Sequence, residues 1–388
     1  MRRAPPAAMR MTKAGMGLLL VTLSVACGSE PAPNEGSAEP GVSTPPSGSE
    51  AAPAGDGFGD KENAPAGACT AESKDIYVMS NDFVLYRFNP GDLSFKRVGQ
   101  FDCIGPKNPN FFNAGADYYF RGMAIDRTGH GWLSMMRAVD SLGAAVTQPT
   151  AAAVDQALVE FNANDATCKV HEYEKIMSFA EFSECGLVFL GTAGYVSSKC
   201  EEIGARVVAN LSYASPSELT KESLYGTKDY SLISIDPAAK QRSAVGALSE
   251  DKKRYSGGLT GTGDGRLYEL SAVKKEGERR KWTFSVALRE RATAAVIDTT
   301  VMDFDSIKMW PSAMTFWGGD LWFFGVPRTE DGGADKKAVS VAQYNTTTKT
   351  LSTVIPSVGD AIDPSAKSDW TVILGAANST CAPLTSPK

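Results

Sequence analysis

Few residues of this chain have the types and spacing that chemistry needs. The densest group lies in PKNPNFFNAGADYYFR, residues 106–121. Phe111, Phe112, Tyr118 and Tyr119 offer ring faces that stack on sugars or apolar side chains, while Asn110, Asp117 and Arg121 add hydrogen-bonding groups. Together they suit a glycan or a peptide; the competing reading is that Phe111, Phe112 and Tyr119 only pack over a channel mouth. VMDFDSIKMW, residues 301–310, carries Asp303 and Asp305. Two carboxylates could contribute to a calcium site, which takes six to eight oxygen ligands; otherwise they are solvated loop acids. The corner Gly263-Asp264-Gly265 in GLTGTGDGRLYEL has neither a following helix to cradle a phosphate nor the spaced carboxylates of a calcium loop. It reads as a turn, with glycine supplying positive φ. The only two histidines, His130 and His171, are far apart in sequence, so they are not expected to make a His-based metal site, and they belong to no Ser–His–Asp arrangement. They read as a corner residue and a solvated outer-strand residue.

The seven cysteines divide into one and six. LSVAC, residues 23–27, resembles the bacterial lipobox: an apolar stretch and a small residue directly before a cysteine. It follows the cations Arg2, Arg3, Arg10 and Lys13 and an apolar run over residues 15–26 that is too short to span a bilayer. The resemblance implies that residues 1–26 are removed and that the Cys27 thiol is acylated; a plain secretory signal is the alternative. Each buried CH₂ adds about 0.8 kcal/mol, so several acyl chains hold a protein on a membrane. Gly28, where Asp would retain the protein at an inner membrane, points to the outer membrane or cell surface. Removing four cations moves the net charge from −6 to about −10. An acidic chain with no basic stripe argues against a nucleic-acid partner. The remaining cysteines, exported to an oxidising compartment, are expected as disulfides.

The elements that must position these residues are strands. Residues 27–68, rich in Pro, Ala, Gly, Ser and Glu, lack the apolar surface to fold and read as a tether. Residues 69–388 form the domain. Hairpins of one kind recur at GMAIDRTGHGWLSM, GLTGTGDGRLYEL and AMTFWGGDLWFFG. A second kind recurs at VLYRFNPGDLSFKRVG, ALVEFNANDATCKVHE, SLISIDPAAKQRSAVG and VSVAQYNTTTKTLSTV. An inner hairpin followed by an outer one makes a four-stranded antiparallel unit, with first strands starting near Met123, Met177, Leu259 and Met314. An all-β propeller of five blades is expected, or six if residues 178–230 hold another. A sandwich or β-helix does not predict this alternation. IYVMS, residues 76–80, matches a second strand, and WTVILGAA, residues 370–377, is a lone strand at the other end. Pairing them closes the ring, and a Cys69–Cys381 disulfide would clasp the closure. Cys185 and Cys200 are expected to pair locally in an insertion within blade three. Cys103 and Cys168 remain by elimination, although a late outer-strand position and an early one fit that pairing poorly.

The lipobox, the spacer, MAIDRTGHGW, the cysteines at 103 and 168, TGTGDGRLYEL and the ending STCAP together resemble a group of predicted propeller lipoproteins from myxobacteria. The likeness runs over most of the chain past residue 75. It implies the same architecture and anchor, and it brings no established activity with it. Function must therefore be read from loop placement. Long connections over 104–120, 136–156, 214–229 and 326–337 are assigned to strand 2–3 and blade-to-blade links, which leave a propeller on one face. The expectation is a non-catalytic envelope lipoprotein that binds a protein or carbohydrate there, touching the membrane only through its lipid. The alternative is a calcium-dependent hydrolase or lactonase-like enzyme; no other cofactor is expected.

Overall fold

In the computed structural model, Asp60–Lys388 forms one compact unit. The structure describes Cys69 and most of residues 72–385; residues 1–68, 105–117, 140–152, 179–208, 216–221, 250–253, 276–281, 330–337, 359–361, 363–371 and 386–388 and a few single positions lie outside the description. Five four-stranded antiparallel sheets form a five-bladed β-propeller. From the centre outward, blade 1 is β20 (Ile373–Ala377), β1 (Ile76–Ser80), β2 (Val84–Asn89) and β3 (Ser94–Gln100). Blade 2 is β4 (Tyr118–Ile125), β5 (His130–Val139), β6 (Ala153–Asn162) and β7 (Cys168–Ser178). Blade 3 is β8 (Ala209–Ala214), β9 (Ser223–Lys228), β10 (Ser231–Asp236) and β11 (Gln241–Ala247). Blade 4 is β12 (Arg254–Gly261), β13 (Leu267–Lys274), β14 (Trp282–Arg289) and β15 (Val296–Met302). Blade 5 is β16 (Met309–Trp317), β17 (Asp320–Pro327), β18 (Val339–Asn345) and β19 (Thr350–Val358).

Each inner strand packs on the next, in the cycle β4, β8, β12, β16, β20 and back to β4. The cycle is complete with five, so the sixth blade allowed by the sequence has no place. Burial grades outward: β16 is buried along nearly all its length, whereas β15 is exposed at most positions. This is why LWFFG needs no polar alternation, since neighbouring blades cover both of its faces. The core is divided into inter-blade layers. Phe88 of blade 1 meets Trp322 and Phe324 of blade 5 with ring centroids 5.6 and 5.2 Å apart. Phe304, which follows blade 4, meets Phe323 of blade 5 at 5.0 Å. Edge-to-face pairs of this kind each add about 0.5–1.5 kcal/mol beyond their buried area.

The outer hairpins share one turn chemistry. Asn89, Asn162 and Asn345 each accept the backbone N–H two residues on, at 2.9, 2.9 and 3.1 Å, and Glu290 does the same for Ala292 at 2.9 Å. The chain then takes a left-handed residue, Leu93, Ala166, Ala294 or Lys349, with φ between 57° and 63°. These polar caps hold a conformation that costs L-residues roughly 1 kcal/mol.

Ring closure is achieved by β20, which pairs antiparallel with β1 in the register Tyr77↔Ala377, Val78↔Ala376 and Met79↔Gly375. Cys69 and Cys381 are disulfide-bonded, with Cα atoms 5.8 Å apart. Cys103 and Cys168 are also bonded, at 5.6 Å. The poor fit expected for this second pair assumes upright outer strands. Neighbouring strands rotate by about 20–25°, or roughly 60–75° from the innermost strand to the outermost. The end of an outer strand therefore runs towards the next blade and meets its outer turn. Gly99 at the end of β3 lies against this turn so closely that a Cβ would sit 2.6 Å from the Asp165 carbonyl oxygen. Gly246 of β11 repeats the contact two interfaces further round, between blades 3 and 4, with 2.0 Å to the Thr293 carbonyl oxygen.

One sequence boundary is corrected. Met177 does not begin blade three but lies in β7, the outermost strand of blade 2; the inner strand of blade 3 is β8. The polar outer strand CKVHEYEKIMS runs into apolar residues at its end, which imitates the start of an inner strand. Residues 179–208 thus connect two blades rather than interrupt one, and Cys185 and Cys200 lie outside the described residues.

Two stability outcomes follow. Cys69→Ser or Cys381→Ser frees a span of 312 residues; thermal unfolding of the oxidised protein should show a loss of several kcal/mol, at most about 5. Arg289→Leu should cost about 3–5 kcal/mol in denaturant titration, because it removes the buried guanidinium that pairs with the buried Glu269 carboxylate.

Candidate functional site

The propeller axis is bordered by the five inner strands, and its two ends differ. At the end where strands 1 and 2 of blades 2–5 are joined, the segment after β20 crosses the opening. Asn378 sits at the centre. Its Oδ1 accepts from Thr260 Oγ1 at 2.9 Å and from Thr315 Oγ1 at 2.6 Å, and its Nδ2 donates to the Gly261 and Ser379 carbonyls at 3.4 and 2.9 Å. Ser379 Oγ donates to the Ser73 carbonyl at 2.5 Å. The Pro383 carbonyl accepts from the Gly318 N–H at 2.7 Å. Gly263, the first glycine of the corner, is pressed on this segment: a Cβ would lie 2.2 Å from the Thr380 carbonyl oxygen. Residues 377–382 are all buried. The segment is a plug.

The Gly263-Asp264-Gly265 corner otherwise serves its own turn. Gly265 takes φ +89° and donates to the Thr262 carbonyl at 3.2 Å, while Arg266 Nε donates to Asp264 Oδ1 at 3.0 Å. Its carboxylate is thereby occupied within the hairpin, as the sequence reading of a structural turn requires.

Beside the plug lies an acid that sequence inspection missed. Glu222 precedes β9 and accepts hydrogen bonds from the Arg127 backbone N–H at 3.0 Å and from Thr380 Oγ1. Arg127 Nε lies 3.5 Å from the same carboxylate, and Arg127 Nη2 donates to Ser215 Oγ at 2.7 Å and to Thr380 Oγ1 at 3.3 Å. Arg127 and Glu222 are both almost fully buried. Burial pushes the Glu222 carboxyl above its ordinary value, against the opposing pull of these donors. Nothing in DRTGHG or KESLY marks these residues, because their meeting depends on two blades and the chain end converging. A second buried pair, Arg289 with Glu269 at 2.7 Å, has a plainer role. The guanidinium also donates to the Leu248 and Ala294 carbonyls at 2.7 and 2.9 Å, tying blade 3 to blade 4.

The opposite end carries the longer connections: 101–117 and 179–208 between blades, and 140–152 and 328–338 between second and third strands. One long connection was misplaced by sequence. Within residues 214–229 the structure forms β9, and 215–222 joins strands 1 and 2 of blade 3, on the plugged end. Of the expected ligand-binding group, Asn110, Phe111, Phe112 and Asp117 lie outside the described residues. Tyr118, Tyr119 and Arg121 are not in a loop but in β4, an inner strand. The loop proper is therefore shorter than residues 106–121, and its last four residues flank the axis.

The two weak metal candidates are engaged elsewhere. Asp303 Oδ1 accepts the Ser306 N–H at 3.1 Å and caps a turn, and Asp305 forms an ion pair with Arg328. Among the described residues, no group of three or more His, Cys, Asp or Glu side chains stands in an arrangement that could hold a metal ion. The histidines depart from expectation. His130 and His171, read as unrelated, both contact Glu160.

The pH dependence of Glu222 has a definite sign. A carboxyl whose folded value is raised holds its proton more tightly when folded, so its contribution is present below the unfolded value near 4.5 and is lost as pH rises through the folded one. Glu222→Gln should therefore flatten the decline of melting temperature as pH rises above about 4.5. A wild-type melting temperature that rises over this range, with a flat variant, would instead identify a stabilising charged Glu222.

No family model and no curated protein matches the chain. Solved structures do match its fold. An oligogalacturonate lyase in complex with manganese is 10% identical, with 72% of this chain and 61% of that one covered and a TM-score of 0.33. A β-xylosidase/α-arabinofuranosidase from a compost microbial metagenome is 12% identical, with 61% and 76% covered and a TM-score of 0.33. An α-L-arabinofuranosidase from Clostridium thermocellum is 10% identical, with 64% and 75% covered and a TM-score of 0.35. The chain spans about three fifths of the lyase it matches.

Proposed function

We propose that this chain is a lipid-anchored envelope protein that binds a protein or carbohydrate at the unplugged end of its propeller. The observation that carries the reading is the asymmetry of the ends. The chain terminus seals one end with hydrogen bonds to several blades. The longest connections, including the aromatic stretch around Phe111 and Phe112, leave from the other. A rigid scaffold with elaborated loops at a single end is the common arrangement of a recognition surface. Attachment through Cys27, with residues 28–68 as spacer, places the protein at an outer membrane or cell surface. No helix among the described residues is long and apolar enough to cross a membrane.

The alternative is a calcium-dependent hydrolase or lactonase-like propeller enzyme. The solved structures similar to this chain include an oligogalacturonate lyase and an α-L-arabinofuranosidase. That alternative requires oxygen ligands from several blades to converge within about 2.3–2.6 Å of one ion. Asp303 and Asp305 make turn and ion-pair contacts instead.

Glycan-array and pull-down screening of the mature chain tests the reading. A ligand bound without being consumed is expected, with affinity falling at least about tenfold in Phe111→Ala and Phe112→Ala, the scale of a lost aromatic anchor. Calcium-dependent turnover of the bound sugar or lactone would favour the enzyme; binding unchanged in both variants would remove the loop from the site. Cys27→Ser should shift the protein from the membrane fraction to the soluble fraction.

A further inference from the structure

The two histidines of the chain meet on one carboxylate. Trp132 of β5 lies opposite Glu160 of β6, and Glu160 lies opposite Lys169 of β7. His130 stands two residues along from Trp132, at a diagonal position within side-chain reach of Glu160, and His171 is the extra residue where the β6–β7 register shifts between Val170 and Glu172. His130 Nε2 is 2.6 Å from Glu160 Oε1, and His171 Nε2 contacts Glu160 Oε2. Both imidazoles rest against the buried Trp132 ring, with centroids 5.6 and 5.4 Å away. Behind His130, Asp126 Oδ2 is 3.7 Å from Nδ1, and the other Asp126 oxygen is held by the backbone N–H groups of Thr128 and His130 at 2.8 and 3.0 Å. The side chains of His130, Glu160 and His171 are 37, 35 and 29% exposed, so the cluster is framed by rigid strands yet open to solvent.

We propose that His130, Glu160 and His171 bind a divalent transition-metal ion, with zinc the representative case. Two imidazole nitrogens and one carboxylate are the donor types zinc takes, and three protein ligands leave a fourth position for water. A carboxylate facing the far ring nitrogen of a ligating histidine fixes the tautomer that frees Nε2, and Asp126 occupies that place. In the metal-free state a proton lies between each Nε2 and the carboxylate, so the three side chains bond one another rather than surround a vacant point. The ion enters by replacing those protons. For a neutral His130 the Nε2 proton is lost and Nδ1 gains one, facing Asp126. An imidazolium instead releases its Nε2 proton to solvent.

The test uses the mature chain without a polyhistidine tag, titrated with Zn²⁺ by calorimetry and followed by thermal unfolding. One ion per chain and a melting temperature raised by several degrees are expected, because a ligand selective for the folded state stabilises it. His171→Gln and Glu160→Gln, which keep hydrogen-bonding side chains at exposed positions, should each weaken binding at least about tenfold, whereas Asp303→Asn should leave it unchanged. Absence of Zn²⁺ binding by the wild type would overturn the site. So would equal affinity in His171→Gln.

Discussion

The antiparallel ladder between β20 and β1 is the interaction on which the other contacts depend. It joins residues separated by nearly the whole domain, as in Tyr77↔Ala377, so its loop-closure entropy is paid once and late. Without it, blade 1 would be a three-stranded sheet facing blade 5 across an open seam. Phe88, Trp322 and Phe324 would then lose their shared layer. The disulfide at Cys69 and Cys381 holds the same juncture. The chain after the ladder does further work: Asn378, Ser379 and Thr380 exist as a plug only because β20 delivers them to the axis.

The second constraint is twist. Strands that rotate steadily from centre to rim cannot remain beside their own blade alone, and their ends reach the next one. That single geometric fact places Gly99 on the Asp165 turn and Gly246 on the Thr293 turn. It also brings Cys103 to Cys168 and the Leu248 carbonyl to Arg289. Inter-blade cohesion therefore has an apolar inner part and a polar outer part. The buried Arg289–Glu269 pair is tolerable because the guanidinium is satisfied by two carbonyls as well as the carboxylate.

Much of the fold was legible because its repeats are written in local chemistry. The Asn caps at 89, 162 and 345 and the glycine corners at 129, 265 and 319 recur where the hairpins turn. Closure was legible because IYVMS and the last strand were each a partner short. The boundary of blade 3 was not, since β7 ends in IMS and looks like a new apolar strand. Tyr118, Tyr119 and Arg121 were read as loop because aromatics among polar residues do not reveal where pairing begins. Glu222 with Arg127, and Glu160 with both histidines, stayed hidden for a different reason. Their contacts come from register and ring geometry, neither of which leaves a spacing in the chain.

These two polar clusters differ in what surrounds them, and the difference separates structure from recognition. Glu222 is enclosed by Arg127, Ser215 and the plug, with hydrogen-bond donors already arranged around its carboxylate. Any ligand reaching it would first have to displace a segment bonded to several blades, so this acid belongs to the seal. Glu160 lies away from the axis, on strands whose backbone is fixed and whose side chains remain reachable. A carboxylate in that position can exchange partners without moving the fold. In the proposed reading a large ligand meets the unplugged end, from which the longer connections leave the ring.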